Sequence, residues 1–287
     1  MITFNHKQGS PEWHAWRKGK IGASDIPIIM GKSPYLTQYQ LWEIQCGLAP
    51  PQEVKPHMLK GHELEQQARD WYASKYNQTF EPACVASEVF PRFIASLDGL
   101  FISNNIHIME IKYNDMLTHE NVRLGYIRDM HIMQMNWQMM VCGVDMCIYI
   151  STRNGENLKL TVMRDQSLID KMIVYATEHL ECVDTLTAPA LSERDYIDNS
   201  DDPILNDIAQ RYKYYLNMSK EYQEKAEHLK DQLLFDSGSQ NCKGKGYKIT
   251  KYCRKGSVEY SKIPELEDVD LEQYRKPLTT AFRVTLE

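Results

Sequence analysis

Two carboxylates and an amine stand in an otherwise apolar stretch, FIASLDGLFISNNIHIMEIKYN, at residues 93–114. They belong to Asp98, Glu110 and Lys112. Charged side chains are seldom buried unless they are paired or bind a metal. The stretch is therefore either the solvated face of a hairpin or the metal site of an enzyme.

The geometry of a β-hairpin decides which of these side chains meet. Side chains two residues apart share a face of a strand, so Glu110 lies on the same face as Lys112. Asn104 and Asn105 tolerate left-handed backbone conformations, which predicts a two-residue turn at this pair. That turn places Gly99 opposite Glu110 and makes Asp98 a diagonal neighbour of Glu110. Two carboxylates and an amine then converge at one end of the hairpin.

Such an oxygen-rich cluster suits Mg²⁺ or Mn²⁺, which are hard cations held by a few carboxylates, waters and substrate phosphate. A nearby lysine can orient the attacking water and offset charge on the phosphate. A solvated Glu–Lys pair two residues apart gives the same spacing, because charged strand faces are common. Spacing alone leaves both interpretations open.

The elements around this stretch indicate a mixed α/β core rather than a sandwich. Apolar periodicity and turn residues predict helices and strands in alternation. The expected helices are 12–20, 37–47, 58–76, 129–142 and 166–186, and the expected strands are 83–90, 93–98, 100–103, 106–113, 145–152 and 157–164.

The composition of the chain limits the classes of protein to which it can belong. The chain has 287 residues, 43% of them hydrophobic, with no apolar run long enough to span a membrane. Its seven cysteines lack CxxC spacing, which favours a reducing, cytoplasmic compartment over a disulfide or zinc framework. The net charge of −6 argues against a wholly basic nucleic-acid binder but is compatible with a nuclease that has one basic groove.

A polar, proline-bearing segment near residues 188–203 predicts a domain boundary, with one domain at 1–190 and an extension at 191–287. Residues 204–235 predict a long charged helix, followed by a small β element. This element carries six positive charges in thirteen residues, which either track a DNA backbone or form a solvated hairpin balanced by later acids. They are Lys243, Lys245, Lys248, Lys251, Arg254 and Lys255.

Five segments together resemble the lambda-exonuclease/YqaJ-type viral recombinase family of the PD-(D/E)xK nuclease superfamily. They are PEWHAWRKGKIGASD (11–25), GHELEQQARDWY (61–72), ASLDGL (95–100), EIKYN (110–114) and MQMNWQMMVCG (133–143). They occur in the order that the family has, although Leu97 replaces the proline of the family name.

The resemblance implies a restriction-endonuclease-like core, with a mixed central sheet flanked by helices and a C-terminal extension. It implies a Mg²⁺- or Mn²⁺-dependent exonuclease that degrades linear double-stranded DNA in the 5′→3′ direction during phage-type recombination. It further implies a ring-shaped homo-oligomer, a single-strand-annealing partner and, for a phage-encoded chain, the cytoplasm of a bacterial host.

The resemblance also assigns roles to individual residues. Asp98, Glu110, Lys112 and Gln134 match the catalytic positions of the family. The implied metal ligands are Glu65, Asp98, Glu110 and the carbonyl of Ile111. The implied pocket for the terminal 5′-phosphate consists of Arg17, Ser24 and Ser96, and an arginine fork with hydroxyl donors is a sound phosphate clamp.

One departure weakens this assignment. The family pocket has a further arginine shortly after the catalytic lysine, whereas residues 115–120 contain none. Thr118, His119 or Arg123 would have to replace it. Two alternatives therefore stay open: a structure- or sequence-specific endonuclease on the same fold, and a non-catalytic DNA-binding or interaction protein.

Overall fold

The computed structural model describes residues 1–50, 56–253, 256 and 263, with the backbone alone for residues 56–63. It divides into two compact units, the first at Met1–Ile197 and the second from Asp198 onwards. No helix in the described part of the chain is long and apolar enough to cross a membrane.

The first unit is built on a six-stranded sheet. Its strands follow one another across the sheet in chain order, and only the central pair, β4 and β5, is parallel. They are β1 (Ile2–Phe4), β2 (Glu81–Ala86), β3 (Ile94–Ile102), β4 (Ile106–Tyr113), β5 (Met146–Arg153) and β6 (Glu156–Met163).

Seven helices flank this sheet, which confirms the predicted mixed α/β core with helices around a central mixed sheet. They are α1 (Pro11–Arg17), α2 (Ile26–Ile29), α3 (Gln38–Gln45), α4 (Pro56–Tyr76), α5 (Met116–Arg123), α6 (Asp129–Cys142) and α7 (Gln166–Asp184). Helices α5 and α6 form the crossover that a parallel pair of strands requires.

The two faces of the sheet are covered by different helices. The larger core lies under α6, where Trp137 and Met135 are fully buried together with Ile108 of β4 and Tyr149 of β5. Helix α4 covers the other face with Ala68 and Tyr72, which pack against Met109 and Ile111. The middle of strand β4, residues 108–111, is thus buried on both sides, so the charge of Glu110 has little access to water.

The β3–β4 hairpin differs from the predicted one in its register. Strand β3 is a single strand, and its Ile102 pairs with Ile106, which leaves a three-residue turn instead of a two-residue one. Gly99 consequently faces Met109, and the expectation that it faces Glu110 is wrong. Continuing the observed register places Asp98 directly opposite Glu110, so the two carboxylates are closer neighbours than the sequence predicted.

Strand β3 also carries a bulge at this point. Its pairing with β2 shifts between Glu81 and Ala83, so Asp98 and Gly99 together oppose Pro82 alone. Proline suits such a site because it lacks the N–H that a regular ladder would use. A Cβ on Gly99 would lie 2.9 Å from Cβ of Phe80, so only glycine fits there. Bulges re-aim side chains and end pairing, and this one lies at the start of the candidate site.

The second unit begins with a helix of 34 residues, α8 (Pro203–Asp236), capped by Asp202. A short antiparallel hairpin follows, with strands β7 (Cys242–Gly244) and β8 (Tyr247–Ile249). The remaining positively charged residues predicted for this element, Arg254 and Lys255, lie outside the described residues.

Candidate active site

The site begins where the β3–β4 ladder ends. Oδ2 of Asp98 accepts a hydrogen bond from the backbone N–H of Ile111 at 2.8 Å, so the side chain takes the place of a strand partner. The buried Arg69 of α4 donates to the carbonyl of Asp98, also at 2.8 Å. Asp98 is therefore held through its side chain by β4 and through its backbone by α4.

Glu110 is almost completely buried, with 1% of its surface exposed. Helix α6 supplies two donors to it, because Gln134 and Gln138 stand one helical turn apart on the face that meets β4. Gln134 donates to Oε1 at 2.7 Å and Gln138 donates to Oε2 at 2.5 Å. Nζ of Lys112 lies 2.5 Å from Oε1, and these three donors satisfy the charge of the buried carboxylate.

Asp98 lies close enough to Glu110 and Glu65 to be affected by their charges. Burial raises the pKa of Asp98 well above its ordinary value, and the negative charges of Glu110 and Glu65 raise it further. Lys112 and the N–H of Ile111 act in the opposite direction but do not cancel these effects. Helix α4 thus brings the predicted ligand Glu65 to the two hairpin carboxylates.

This concentration of negative charge fits a divalent cation, because like charges raise each other's pKa until a positive charge joins them. Across the described part of the chain, no three His, Cys, Asp or Glu side chains are placed to hold a metal ion as they stand. The positive charge next to Glu110 in this arrangement is the ammonium of Lys112. The residue types and their proximity fit a metal ion, although their side chains are not yet arranged as a set of ligands.

The environment of Lys112 keeps its ammonium charged. Burial alone would lower the pKa of this group, but the carboxylates of Glu110 and Asp98 outweigh burial and raise the pKa above its ordinary value. The side chain is 29% exposed, so it reaches the surface of the protein from the buried end of the site.

A cleft of about 790 Å³ opens beside Lys112 and Gln134. One wall is basic and contains Arg17, Lys18 and Lys20, with His14 next to them. The other wall is mostly apolar and comes from the segment that runs from α2 to the end of α3. Lys112 and Gln134 both line this cleft and both contact Glu110, so a phosphodiester held in the cleft would lie next to Lys112.

Two of the three residues predicted to bind the 5′-phosphate line this cleft, Arg17 and Ser24. Arg17 is held by Asp25, whose two carboxylate oxygens lie 3.1 Å from Nη2, and it stacks on the ring of Trp13. A Cβ at position 22 would lie 2.9 Å from Nη2 of Arg17, so Gly22 makes room for this fork.

The third predicted phosphate-binding residue, Ser96, is not among the residues that line the cleft. Its hydroxyl accepts a hydrogen bond from Nε1 of Trp13 at 2.9 Å and lies near the thiol of Cys84. Ser96 therefore supports Trp13, and through the stacked ring it supports Arg17. The bulge explains the difference, because it breaks the alternation that was expected to align Ser96 with Asp98.

The three substitutes considered for the missing family arginine are engaged elsewhere. Thr118 donates its backbone N–H and its hydroxyl to Asp115, which caps α5, and the buried His119 contacts the hydroxyl of Ser151 at 2.7 Å. Arg123 forms an exposed ion pair with Glu156 at 2.7 Å. None of the three lines the cleft.

The predicted DNA-binding lysines that the structure describes all lie in the second unit. Lys243, Lys245, Lys248 and Lys251 are exposed on or next to the β7–β8 hairpin, and Lys243 stands directly opposite Lys248. Like charges in facing positions destabilise a hairpin, so this pair favours an anion beside it.

Sequence reasoning missed three residues that hold the site together. Gln138 received no role, although its spacing from Gln134 places both on one face of a helix and could have indicated it. Asp25 and Arg69 received no role either, because their contacts depend on how the chain turns after α1 and on how α4 packs against β3.

Comparison with known proteins agrees with this geometry. Residues 12–145 match the family model of the YqaJ-like viral recombinase domain, and this range contains every predicted site residue except the positively charged residues of 243–255. The family resemblance predicted from the five sequence segments is therefore confirmed. No curated protein sequence matches the chain significantly.

Solved structures give the same result. The crystal structure of an alkaline exonuclease, LHK-Exo, from Laribacter hongkongensis has a TM-score of 0.54 and 25% identity over 61% of this chain and 93% of that chain. LHK-Exo in complex with dAMP gives a TM-score of 0.55 and 26% identity with the same coverage. Together with the family match, these similarities support a DNA nuclease of the phage recombination type.

Proposed function

We propose that this nuclease of the phage recombination type is a metal-dependent exonuclease that degrades linear double-stranded DNA in the 5′→3′ direction. The observation that carries the proposal is the contact of the buried Glu110 with Lys112, which lines a basic cleft, while Asp98 lies near enough to Glu110 and Glu65 to feel their charge.

Glu65, Asp98, Glu110 and the carbonyl of Ile111 would hold Mg²⁺ or Mn²⁺. A divalent cation bound there would offset charge on the scissile phosphate and make a bound water more acidic. Hydrogen bonds within the chain already orient two of these carboxylates. Gln134 and Gln138 orient Glu110, and the N–H of Ile111 orients Asp98.

Lys112 would supply a positive charge and N–H donors next to the phosphate and the attacking water. Its position at the inner end of the cleft and its contact with Glu110 support this role. Arg17 and Ser24 would hold the terminal 5′-phosphate further along the same cleft, with Arg17 aimed by Asp25 and Trp13.

Three DNA substrates test the proposal: linear duplex with a 5′-phosphate, the same duplex with a 5′-hydroxyl, and closed circular DNA. Each is incubated with the full chain in Mg²⁺ or in EDTA. We expect mononucleotides from the 5′ end of the phosphorylated duplex, intact circles, and no cleavage in EDTA. Cleavage of circles would instead identify an endonuclease, and no cleavage of any substrate with Mg²⁺ or Mn²⁺ would identify a DNA-binding protein.

The endonuclease alternative has one observation in its favour. The residue that would bind a 5′-phosphate, Arg17, is already paired with Asp25, and the substitutes for the missing family arginine point elsewhere. Arg17→Ala should reduce the preference for a 5′-phosphate over a 5′-hydroxyl by about 10-fold or more, since a charge-assisted hydrogen bond contributes about 1.5–3 kcal/mol. Lys18→Ala removes another cation from the same cleft and should leave the preference unchanged.

We also propose that Lys243, Lys245, Lys248 and Lys251 contact the DNA backbone. Replacing all four with Gln should lower the slope of log binding constant against log salt by about 3–4, because each phosphate contact adds about 0.9. An unchanged slope would identify a solvated hairpin.

A ring-shaped homo-oligomer and a single-strand-annealing partner remain proposals from the family resemblance. The mass of the purified protein would test the first, and co-purification with such a partner would test the second.

A further inference from the structure

Helix α8 carries a regular stripe along one of its faces. The members of this stripe are spaced alternately by three and four residues. They are Leu205, Ile208, Tyr212, Tyr215, Ser219, Tyr222, Ala226, Leu229 and Leu233. An alternation of three and four is the a/d pattern of a coiled-coil seam, in which one helix packs lengthwise against another. We call this set the a/d stripe.

The a/d stripe is open to solvent in the described structure. No residue of α8 is buried, and the seven large side chains of the stripe are between 40% and 64% exposed. Most charged residues of the helix lie on its other faces, where Glu221 pairs with Lys225 and Glu227 pairs with Lys230. A long helix with a solvated charged side and an apolar stripe packs that stripe against something.

We propose that the a/d stripe packs against the same stripe of a second copy of this chain, with the two helices antiparallel. The choice of a second copy as the partner, and of an antiparallel direction for the two helices, rests on the sizes of the side chains in the stripe. When the helices cross at their midpoint between Lys220 and Glu221, Tyr215 of each copy faces Ala226 of the other. In the same way Tyr222 faces Ser219.

The remaining layers of this arrangement are also well matched. Tyr212 faces Leu229, and Ile208 faces Leu233. Every small residue of the a/d stripe thus meets a tyrosine, so large and small side chains interdigitate in the central layers, and only Leu205, which faces Asp236, has no apolar partner in the stripe. The stripe spans about 42 Å at 1.5 Å per residue, long enough for a stable pair of helices.

The alternative in which two copies lie parallel and in register fits poorly. It stacks Tyr215 on Tyr215 and Ala226 on Ala226, which crowds one layer and leaves a void in another. It also brings Lys225 of one copy next to Lys230 of the other. In the antiparallel arrangement Lys225 instead flanks Met218, so the charges that border the seam do not oppose one another.

The area is sufficient for a specific interface. Covering the exposed part of seven large side chains removes on the order of 600 Å² per copy, and on the order of 1,200 Å² for the pair. Specific interfaces begin at about that size. The proposal is independent of the nuclease activity, because it uses no residue of the cleft or the carboxylate cluster.

The first experiment measures the mass of the full chain in solution by light scattering. Tyr215→Glu and Tyr222→Glu each bury a charge in the seam and should weaken association by about 100-fold or more, so the measured mass halves. Gln210→Glu adds the same charge on the opposite face of α8 and should leave the mass unchanged. Circular dichroism checks that each variant keeps its helix content.

The second experiment measures direction by thiol cross-linking, with the linked peptides identified by mass spectrometry. Tyr212→Cys mixed with Leu229→Cys should cross-link between the two variants, and neither variant should link to itself through the new cysteine. Self-linking of Tyr212→Cys would overturn the antiparallel arrangement. A monomeric wild-type chain, or a mass that Tyr215→Glu does not change, would overturn the pairing itself.

Discussion

The carboxylate of Asp98 and the backbone N–H of Ile111 are joined by a hydrogen bond of 2.8 Å, although their strands have stopped pairing. A side chain thereby extends the contact between β3 and β4 beyond their last paired residues, Gly99 and Met109. This contact fixes one carboxylate beside the other, since Glu110 immediately precedes Ile111. The site thus forms where the β3–β4 ladder ends, next to the bulge that β3 makes against β2.

Lys112→Ala should remove DNA cleavage while DNA binding is kept. The ammonium contacts Glu110 at the inner end of the cleft, and the loss of a charge aimed at the reacting phosphate typically costs about 100- to 1,000-fold in rate. Rates on labelled duplex and binding by fluorescence anisotropy measure the two effects separately. Lys171→Ala, an exposed lysine of α7, serves as the control. Full activity of Lys112→Ala would remove this residue from the mechanism.

Asp98→Asn should stabilise the protein in EDTA and abolish cleavage in Mg²⁺. The pKa of Asp98 is raised by burial and by two neighbouring carboxylates, so its charge costs folding free energy, whereas an asparagine oxygen still accepts from Ile111. We expect a gain of about 1–2 kcal/mol, or about 3–6 °C in Tm. Mg²⁺ should raise the Tm of the wild-type chain and have little effect on the variant. A lower Tm of Asp98→Asn in EDTA contradicts the prediction, and Asp70→Asn on the exposed side of α4 is the control.

Gln138→Leu should destabilise the fold more than Gln134→Leu does. Both side chains donate to Glu110 from α6, but Gln138 is fully buried while Gln134 borders the cleft, where water can replace it. Losing a hydrogen bond to a buried charge should cost about 2–3 kcal/mol. Urea unfolding of the two variants measures the difference. Equal losses would mean that solvent does not reach Glu110 through the cleft.

The free energy of unfolding should fall as the pH drops from about 6.5 to about 4. Burial lowers the pKa of His179 from 6.5 to about 4, and its ring nitrogens contact Gln45 at 2.9 Å and Gln38 at 3.4 Å. Between these two values the unfolded chain binds a proton that the folded chain excludes, so unfolding becomes easier as the pH falls. The loss reaches about 3 kcal/mol at the acid end of this window.

The His179→Gln variant tests this origin of acid sensitivity. Its unfolding free energy should depend less on pH between about 4 and 6.5 than that of the wild-type chain. His14→Gln, which changes an exposed histidine of α1, should keep the wild-type dependence. The same slope in His179→Gln and in the wild-type chain would assign the effect to other groups.

Local patterns were enough to predict most elements and to place Glu110 and Lys112 on one face of β4. They left open whether this pair belongs to a metal site, and Glu65 and Gln134 followed only from the family segments. All four lie at the site that the structure forms. Glu110 and Lys112 were predictable because the alternation of their strand is visible in the sequence, whereas the roles of Glu65 and Gln134 have no such local signal.

The register of the hairpin was not predictable in the same way. The turn between β3 and β4 has three residues rather than two, and the bulge opposite Pro82 changes which side chains align. The bulge depends on pairing with β2, which lies on the other side of β3. The contact of Arg69 with Asp98 likewise depends on how distant elements pack, and the ion pair of Asp25 with Arg17 depends on how the chain turns between α1 and α2.

The parallel pairing of β4 with β5 gives the site an order of assembly. Asp98 and Glu110 are brought together by a hairpin, which forms from neighbouring segments and closes early. Gln134 and Gln138 reach Glu110 only when the crossover through α5 and α6 has folded back onto the sheet. We therefore expect the two carboxylates to face each other during folding before their amide donors are in place. Added salt or a divalent cation should reduce the repulsion between them at this stage and so speed folding.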